Sequence, residues 1–422
     1  MKPAALLILV LTLGLRGGAA EVVRVWANQG QEAENRALRG IAAAFDAAQA
    51  RRGLRVEITF FPDFQYTEKI AIAAAARDLP DSFEIDGPLV ARYAAAGLLA
   101  PIGSAFTPTE LADFLPTLRA QGTFRGRLYA LGAFDSAMVL YYDRAMLASA
   151  GVVPPAHDRG WTWPEFLEAC AKLKAKGVRP VSLHLDESAD EWFTYAFSPV
   201  IWSAGGRLIS ADGRRVRGVL ASSANIRALT AWQALFRLGY ASADPADPDP
   251  FDEGRTAMDW SGHWMARPHL AAKGMELGVM PLPRLGDHRA APCGSWCWGV
   301  SKRSRDPAGA VAWLHWVTDP RHGIEPMVRA NGAVPGRFSA FAAFPEYRHD
   351  PYRLFKRLLE FSGHPRPQTP FYATLTEQFA AALRDIAHGA DVGTRLRAAA
   401  AVVQGVIDRR SPEAPDRVEG SR

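Results

Sequence analysis

Cysteine is scarce. Cys170, Cys293 and Cys297 are the three in a chain of 422 residues. Three thiols cannot all pair within one chain, so stability rests on core packing rather than on a disulfide framework. Cys293 and Cys297, four apart, either bridge a loop or pack as small reduced hydrophobes. No Cys/His set has zinc-ligand spacing, so neither a metal nor a cofactor is expected. Gly-Xaa-Ser-Xaa-Gly and a nucleophilic triad pattern are missing. Basic residues form no stripe with interleaved aromatics, which excludes a nucleic-acid groove. Beyond the first twenty residues no stretch is long and apolar enough to span a bilayer.

What is present is a large apolar fraction, 48%, with 49 basic and 44 acidic residues. A single core stops growing near roughly 250–300 residues, so two lobes are expected. The start, MKPAALLILVLTLGLRGGAA, reads as a secretory signal. Lys2 supplies its charge, Leu6 to Leu15 its apolar run, and Gly18-Ala19-Ala20 its small residues. Cleavage after Ala20 would remove Lys2 and Arg16, leaving 47 basic against 44 acidic. Export places the mature chain in the periplasm.

From residue 21 the pattern is β-α-β-α-β. EVVRVWA, LRVEITFF and DSFEID read as strands, and residues 32–50 and 67–77 as helices between them. That order implies parallel strands with crossover helices, whose ligands sit beyond the strands' carboxyl ends. The loops at 27–31, 62–66 and 86–88 lie at such ends. Further on, Thr162, Pro164 and Gly177 frame a helix with the expected end asymmetry. Residues 203–214 read as a turn-rich hairpin, and Ala257-Met258 as a buried strand end. Asp306 caps a helix with Pro307 at its first position. The carboxyl end is helical with a break near Gly389, and its last dozen residues look frayed.

Twelve tryptophans are too many to read alike. Trp313 and Trp316 sit among alanine and leucine on a helix and read as core. Trp161 and Trp163 frame a helix start and read as packing. Trp298 should share the core-facing side of its strand with Val300. Trp26, Trp202, Trp260 and Trp296 adjoin polar loop residues, where a ring face suits the C–H surface of a pyranose. In AMDWSGHW (257–264), Asp259, Trp260 and Ser261 are expected on a cleft wall. Gly262 would turn the chain there, and Trp264 would pack beside His263. Asp86 is either a surface turn or a cleft carboxylate. Asp135 and Ser136 follow a glycine at a chain crossing, where a hinge and a cap look alike. Asp63, Asp86, Asp135 and Asp259 could instead supply a glycosidase acid/base pair, but spacing does not show which carboxyls face each other.

Taken in order, several segments resemble one family, the extracellular solute-binding proteins of ABC importers, in the group with maltose-, trehalose- and glycerol-phosphate-binding proteins. They are LPDSFEIDGPLVARYAAAGLLAPI, LYALGAFDSAMVLYYDRAMLASAGV, WTWPEFLEACAKLKAKG, FDEGRTAMDWSGHW, LGVMPLPR, GSWCWGVSKRSRDPAGAVAWLHWVT and NGAVPGR. Each is weak alone; their ordered combination is specific. The resemblance implies a two-lobed α/β periplasmic-binding-protein fold of type II, with a hinge and a ligand between the lobes. It places one lobe at residues 21–133 and 284–337 and the other at 134–283 and 338–422. It implies delivery to ABC permease subunits rather than chemistry, and a monomer is expected; the aromatic and carboxylate mixture fits a neutral sugar, from mono- to short oligosaccharide. A polyol or glycerol-phosphate-type ligand is the alternative within the family. A secreted carbohydrate-active enzyme using Asp86, Asp135 or Asp259 is the rival outside it, and a sensor role shares the fold. Carried over, the ligand contacts fall on Tyr66, Asp86, Ser136, Trp260, Ser261, Gly294, Ser295, Trp296 and Arg366. The strand-end rule adds Trp26, Asn28 and Gln29. The family's lipid-anchoring cysteine is missing near residue 20.

Overall fold

The computed structural model describes residues 21–156, 158–186, 190–244 and 251–410. The expected signal segment, the expected frayed end and most of the connection at 244–250 lie outside these residues. So do the side chains of Asp63 and Phe64.

The β-branched start of the chain forms the strand Glu21–Asn28, parallel to Leu54–Phe61 on one side and to Ser82–Asp86 on the other. The helix between the first two, Glu32–Gln49, turns Leu38, Ile41 and Phe45 inward at helical spacing. They meet Val23, Val25, Trp298 and Trp313 in one core. Trp313 sets its ring edge-on to Phe45 and to Trp298, each at 5.7 Å between centroids. Trp298 and Trp313 are therefore packing residues, as their apolar neighbours imply. The strand Trp296–Val300 joins this sheet antiparallel to Ser82–Asp86, with Trp296 opposite Asp86. Ala130–Gly132 pairs on its far side and completes five strands. This reversed strand brings the loop at Gly294-Ser295 to the carboxyl end of Ser82–Asp86.

A second sheet has the order Leu277–Met280, Met138–Asp143, Thr256–Gly262, Arg179–Ser182. Helices Trp163–Ala175, Asp190–Ser203 and Ser223–Arg237 share a large apolar core with it, together with Tyr372–Ala387 and Val392–Arg410. Thr162 and Glu165 form a reciprocal capping box at one helix start, and Asp306 caps Pro307–Val317 through the Gly309 N–H. Gly389, at φ 97°, supplies the expected break between the last two helices. At 203–214 only the turn of the expected hairpin forms. Ser210 N–H donates to Arg215 O, but the flanking segments never pair. The three cysteines are free and buried. Among the described residues no helix is long and apolar enough to cross a membrane, and no cluster of His, Cys, Asp or Glu could hold a metal.

The chain passes from the first sheet to the second at Phe134–Ala137, and Asp135 fixes that passage. Its carboxylate is fully buried and accepts from Thr117 Oγ1 at 2.5 Å, from the N–H groups of Ser136 and Gly294, and from Gln121 Nε2. Two crossing segments are thus tied to the helix Pro116–Gln121. Burial pushes the Asp135 carboxyl up to about 6 despite those donors.

Candidate ligand-binding cleft

Between the two sheets lies a cavity of about 730 Å³. One wall is built from strand ends of the first sheet. Asn28 and Asp86 terminate two parallel strands, and Gly294, Ser295 and Trp296 lead into the antiparallel one. The facing wall comes from the helix Asp190–Ser203, which presents Glu191, Trp192 and Tyr195, and from Trp264, Arg366 and Tyr372. Ser136 sits at the floor, its hydroxyl against the Tyr195 hydroxyl at 2.7 Å and donating to the Gly294 carbonyl.

An ion network crosses the cavity. Arg366, 5% exposed, donates Nη2 to Asp86 Oδ1 at 2.7 Å and Nη1 to Asp86 Oδ2 at 3.1 Å. The same Nη1 donates to Glu191, whose Oε1 also accepts from the Tyr372 hydroxyl at 2.6 Å. Burial pushes the Glu191 carboxyl up to about 7, although the guanidinium pulls the other way. Glu84, two positions before Asp86 on the same strand and also lining the cavity, accepts from Asn28 N–H at 3.0 Å and is pushed up to about 8 by burial. His263 is driven down to about 3 by burial, so its ring is neutral. Asn28 Oδ1, His263 Nδ1 and Arg366 Nε are buried without a partner, and all three residues line the cavity.

The structure moves several expected cleft residues elsewhere. Trp260 is fully buried and points into the core, its indole N–H donating to Ala196 O at 3.0 Å. Ser261 is buried beside it in the sheet. Asp259 is buried between two imidazoles, His184 Nε2 at 2.5 Å and His269 Nε2 at 2.8 Å. Burial opposes its ionisation, but the two rings override that and hold its carboxyl below the usual range. The cause of all three corrections is one miscount. The strand does not end near Met258 but runs to Gly262, paired on both edges as far as Asp259 and on one edge to Gly262, so the cleft begins at His263 and Trp264. Trp264, expected to pack, lines the cavity. Gly262 does not supply a special turn, since its φ is −98°; a Cβ there would overlap the folded-back ring of Trp264.

Trp202 packs on His364 at 4.1 Å, away from the cavity. Trp26 turns edge-on to Phe61 at 4.8 Å, and Gln29 is exposed beside the lining residues Asn28 and Gly30. Tyr66 supports the wall from behind, its hydroxyl donating to Glu84 O at 2.9 Å and its ring 5.7 Å from Trp296. Asp135 is the structural tie described above. Neither Asp135 nor Asp259 lines the cavity, so Asp86 faces neither of them across it.

A two-sheet α/β chain with an interlobe cavity has many known counterparts. The family model for bacterial extracellular solute-binding proteins matches residues 29–323. The chain belongs to this family. Among relatives of this solute-binding protein, the diacetylchitobiose binding protein DasA of Streptomyces coelicolor is 25% identical over 340 residues. The alignment covers 77% of this chain and 75% of that one. The maltodextrin-binding protein MdxE of Bacillus subtilis is 23% identical over 268 residues, 61% of this chain and 60% of that one. The sugar-binding protein MalE of Xanthomonas citri superposes with a TM-score of 0.79 at 19% identity, over 92% of this chain and 98% of that one. The GacH receptor of Streptomyces glaucescens, solved unliganded and with acarbose, gives 0.76 at 22% identity, over 93% and 99%. These likenesses show the fold to be the two-lobed α/β periplasmic-binding-protein fold.

Sequence reasoning missed Glu84, Glu191, Trp192, Tyr195 and Tyr372 in this solute-binding protein. Glu191, Trp192 and Tyr195 carried a usable signal in DEWFTYAF. Positions i, i+1 and i+4 of a helix share a face, and here that face looks into the cavity. Glu84 and Tyr372 carried none, because strand position and lobe contact decide their exposure.

Proposed function

We propose that this protein captures a sugar, from mono- to short oligosaccharide, and delivers it to the transmembrane subunits of an ABC importer. The observation that carries the reading is the composition of the cavity. Trp296 on one wall and Trp192, Tyr195 and Trp264 on the other bring aromatic rings to the cavity. Among them stand three buried polar atoms without partners, on Asn28, His263 and Arg366. Rings stack on the axial C–H surface of a pyranose, and hydroxyls fill polar positions that otherwise cost roughly 1–3 kcal/mol each. The names of relatives point the same way, to diacetylchitobiose and to maltodextrin.

In this reading the contacts are Asn28, Asp86, Ser136, Gly294, Ser295, Trp296 and Arg366, joined by Glu191, Trp192, Trp264 and Tyr372. The lobes are residues 21–133 with 284–337 and residues 134–283 with 338–422, hinged beside Asp135. The chain acts as a periplasmic monomer after losing about its first twenty residues, and it performs no chemistry. Closure follows because contacts to both walls exist only in the closed form.

A thermal-shift screen over sugars, polyols and glycerol phosphate tests the proposal. A matching sugar at about 100 times its Kd stabilises by roughly 2.7 kcal/mol. A response to phosphate-bearing ligands alone would move the ligand class, and turnover of a bound oligosaccharide would make the protein an enzyme.

A further inference from the structure

Six carboxyl groups line the cavity, those of Glu34, Glu84, Asp86, Asp190, Glu191 and Glu377, against the single guanidinium of Arg366. The bias runs against the chain as a whole, which has more basic than acidic residues. It is therefore a local feature of the cavity. Arg366 is already engaged by Asp86 and Glu191, and Asp190 is paired with Arg384 at 2.6 Å. Glu34 accepts only from uncharged donors, Gln31 N–H at 2.8 Å and Asn331 Nδ2 at 3.1 Å. Among the described residues neither Glu34 nor Glu377 forms an ion pair with a cation of the protein.

The second observation comes from the rings and from His263. The Arg366 guanidinium already lies over the Tyr195 ring, 5.1 Å from its centroid, so this surface holds a cation on an aromatic face. His263, 6% exposed and neutral, lines the same cavity and adds no positive charge to set against the carboxylates. Ring faces and unneutralised carboxylates together match an ammonium, which the ring quadrupole attracts and a carboxylate pairs. A neutral sugar uses the rings but leaves the charge excess unanswered.

We propose that the cavity selects saccharides bearing a free primary amine, with the ammonium paired by Glu34 and Glu377; this rests on the carbohydrate reading above. Burial, reinforced by the charge of Glu34, holds Glu84 largely protonated, and an arriving cation would relieve that crowding. The local negative potential would also speed encounter with a cationic sugar.

The test is calorimetric titration of the purified protein with glucosamine and its short oligomers, against their N-acetylated and plain gluco counterparts, at low and high salt. The free amines should bind about tenfold more tightly than the N-acetylated forms, the worth of one charge-assisted hydrogen bond. High salt should narrow that margin. The double substitution Glu34→Gln and Glu377→Gln should collapse it. Gln keeps an acceptor for the Gln31 N–H, so the helix cap survives, and a circular-dichroism melt checks this. N-acetylated or gluco sugars binding as tightly as the amines would overturn the amine proposal and leave the carbohydrate reading standing. A margin that the double substitution leaves intact would overturn it too. Binding to none of the sugars would sink both.

Discussion

Arg366 and Asp86 form a two-point ion pair across the cleft, Nη2 to Oδ1 at 2.7 Å and Nη1 to Oδ2 at 3.1 Å. Asp86 ends a strand of the first sheet, whereas Arg366 leads into the helix Tyr372–Ala387 of the second core. The pair therefore joins the two walls. Asp86→Asn keeps the shape but removes the charge, leaving a buried guanidinium with Glu191 alone. Breaking a buried pair in this way costs about 3 kcal/mol. The closed arrangement should lose population, seen as a larger radius of gyration in solution scattering and a lower melting temperature. Unchanged scattering would show that the pair does not hold the lobes together.

Gly294 sits against that pair. A Cβ at this position would overlap the Arg366 guanidinium, and no backbone torsion there demands glycine. Gly294→Ala should displace Arg366, uncouple it from Asp86, and weaken ligand binding at least as much as Asp86→Asn does. Because both substitutions act through one contact, their effects on melting should fall well short of adding. Full additivity in a double-mutant cycle would refute the shared contact.

Trp260 and Trp264 make a matched pair of opposite character four residues apart. Trp260 is fully buried, packs 6.4 Å from Phe197 and satisfies the Ala196 carbonyl. Trp260→Ala should cost about 3–5 kcal/mol of stability through the cavity it leaves. Trp264 is half-buried on the cleft wall beside Trp192, at 6.3 Å. Trp264→Ala should leave the melt nearly in place and lower sugar affinity about tenfold or more. Thermal melts and titrations of the two variants give the contrast directly.

The fold was legible because its signals are local and redundant. The first three strands, their crossover helices and the Thr162 and Asp306 caps each follow from a few adjacent residues. Loop positions at strand ends were legible for the same reason, which is why Asn28, Asp86 and Trp296 appear on the wall. What failed was counting within a strand. AMDWSGHW looks like a loop because it carries Asp, Ser and Gly, yet pairing with Met138–Asp143 absorbs it into the sheet as far as Gly262, with the second edge paired to Asp259. Burial of Asp259 then depends on His184 and His269, seventy-five residues before it and ten after it. No local pattern encodes that arrangement. Arg366 was found by the family resemblance, whereas its partner Glu191 depends on two distant segments meeting.

Glu84 makes the stability of this protein depend on pH in a direction opposite to ordinary acid unfolding. Its carboxyl is 7% exposed, and burial raises it from 4.5 to about 8. A carboxyl with a raised folded value binds its proton more tightly in the native chain than in the unfolded one. Its contribution is therefore fully present below about pH 4.5 and is lost as pH climbs through about 8. Asp135, raised to about 6, acts with the same sign over a lower window, and Asp259, held low, acts oppositely below it. Glu84→Gln keeps an acceptor for the Asn28 N–H and cannot ionise. It should leave the melting temperature near pH 5 little changed and raise stability near pH 9 by about 2–4 kcal/mol. Melting curves of both proteins across that range should diverge upward with pH. Parallel curves would mean that Glu84 is ionised in the native protein throughout.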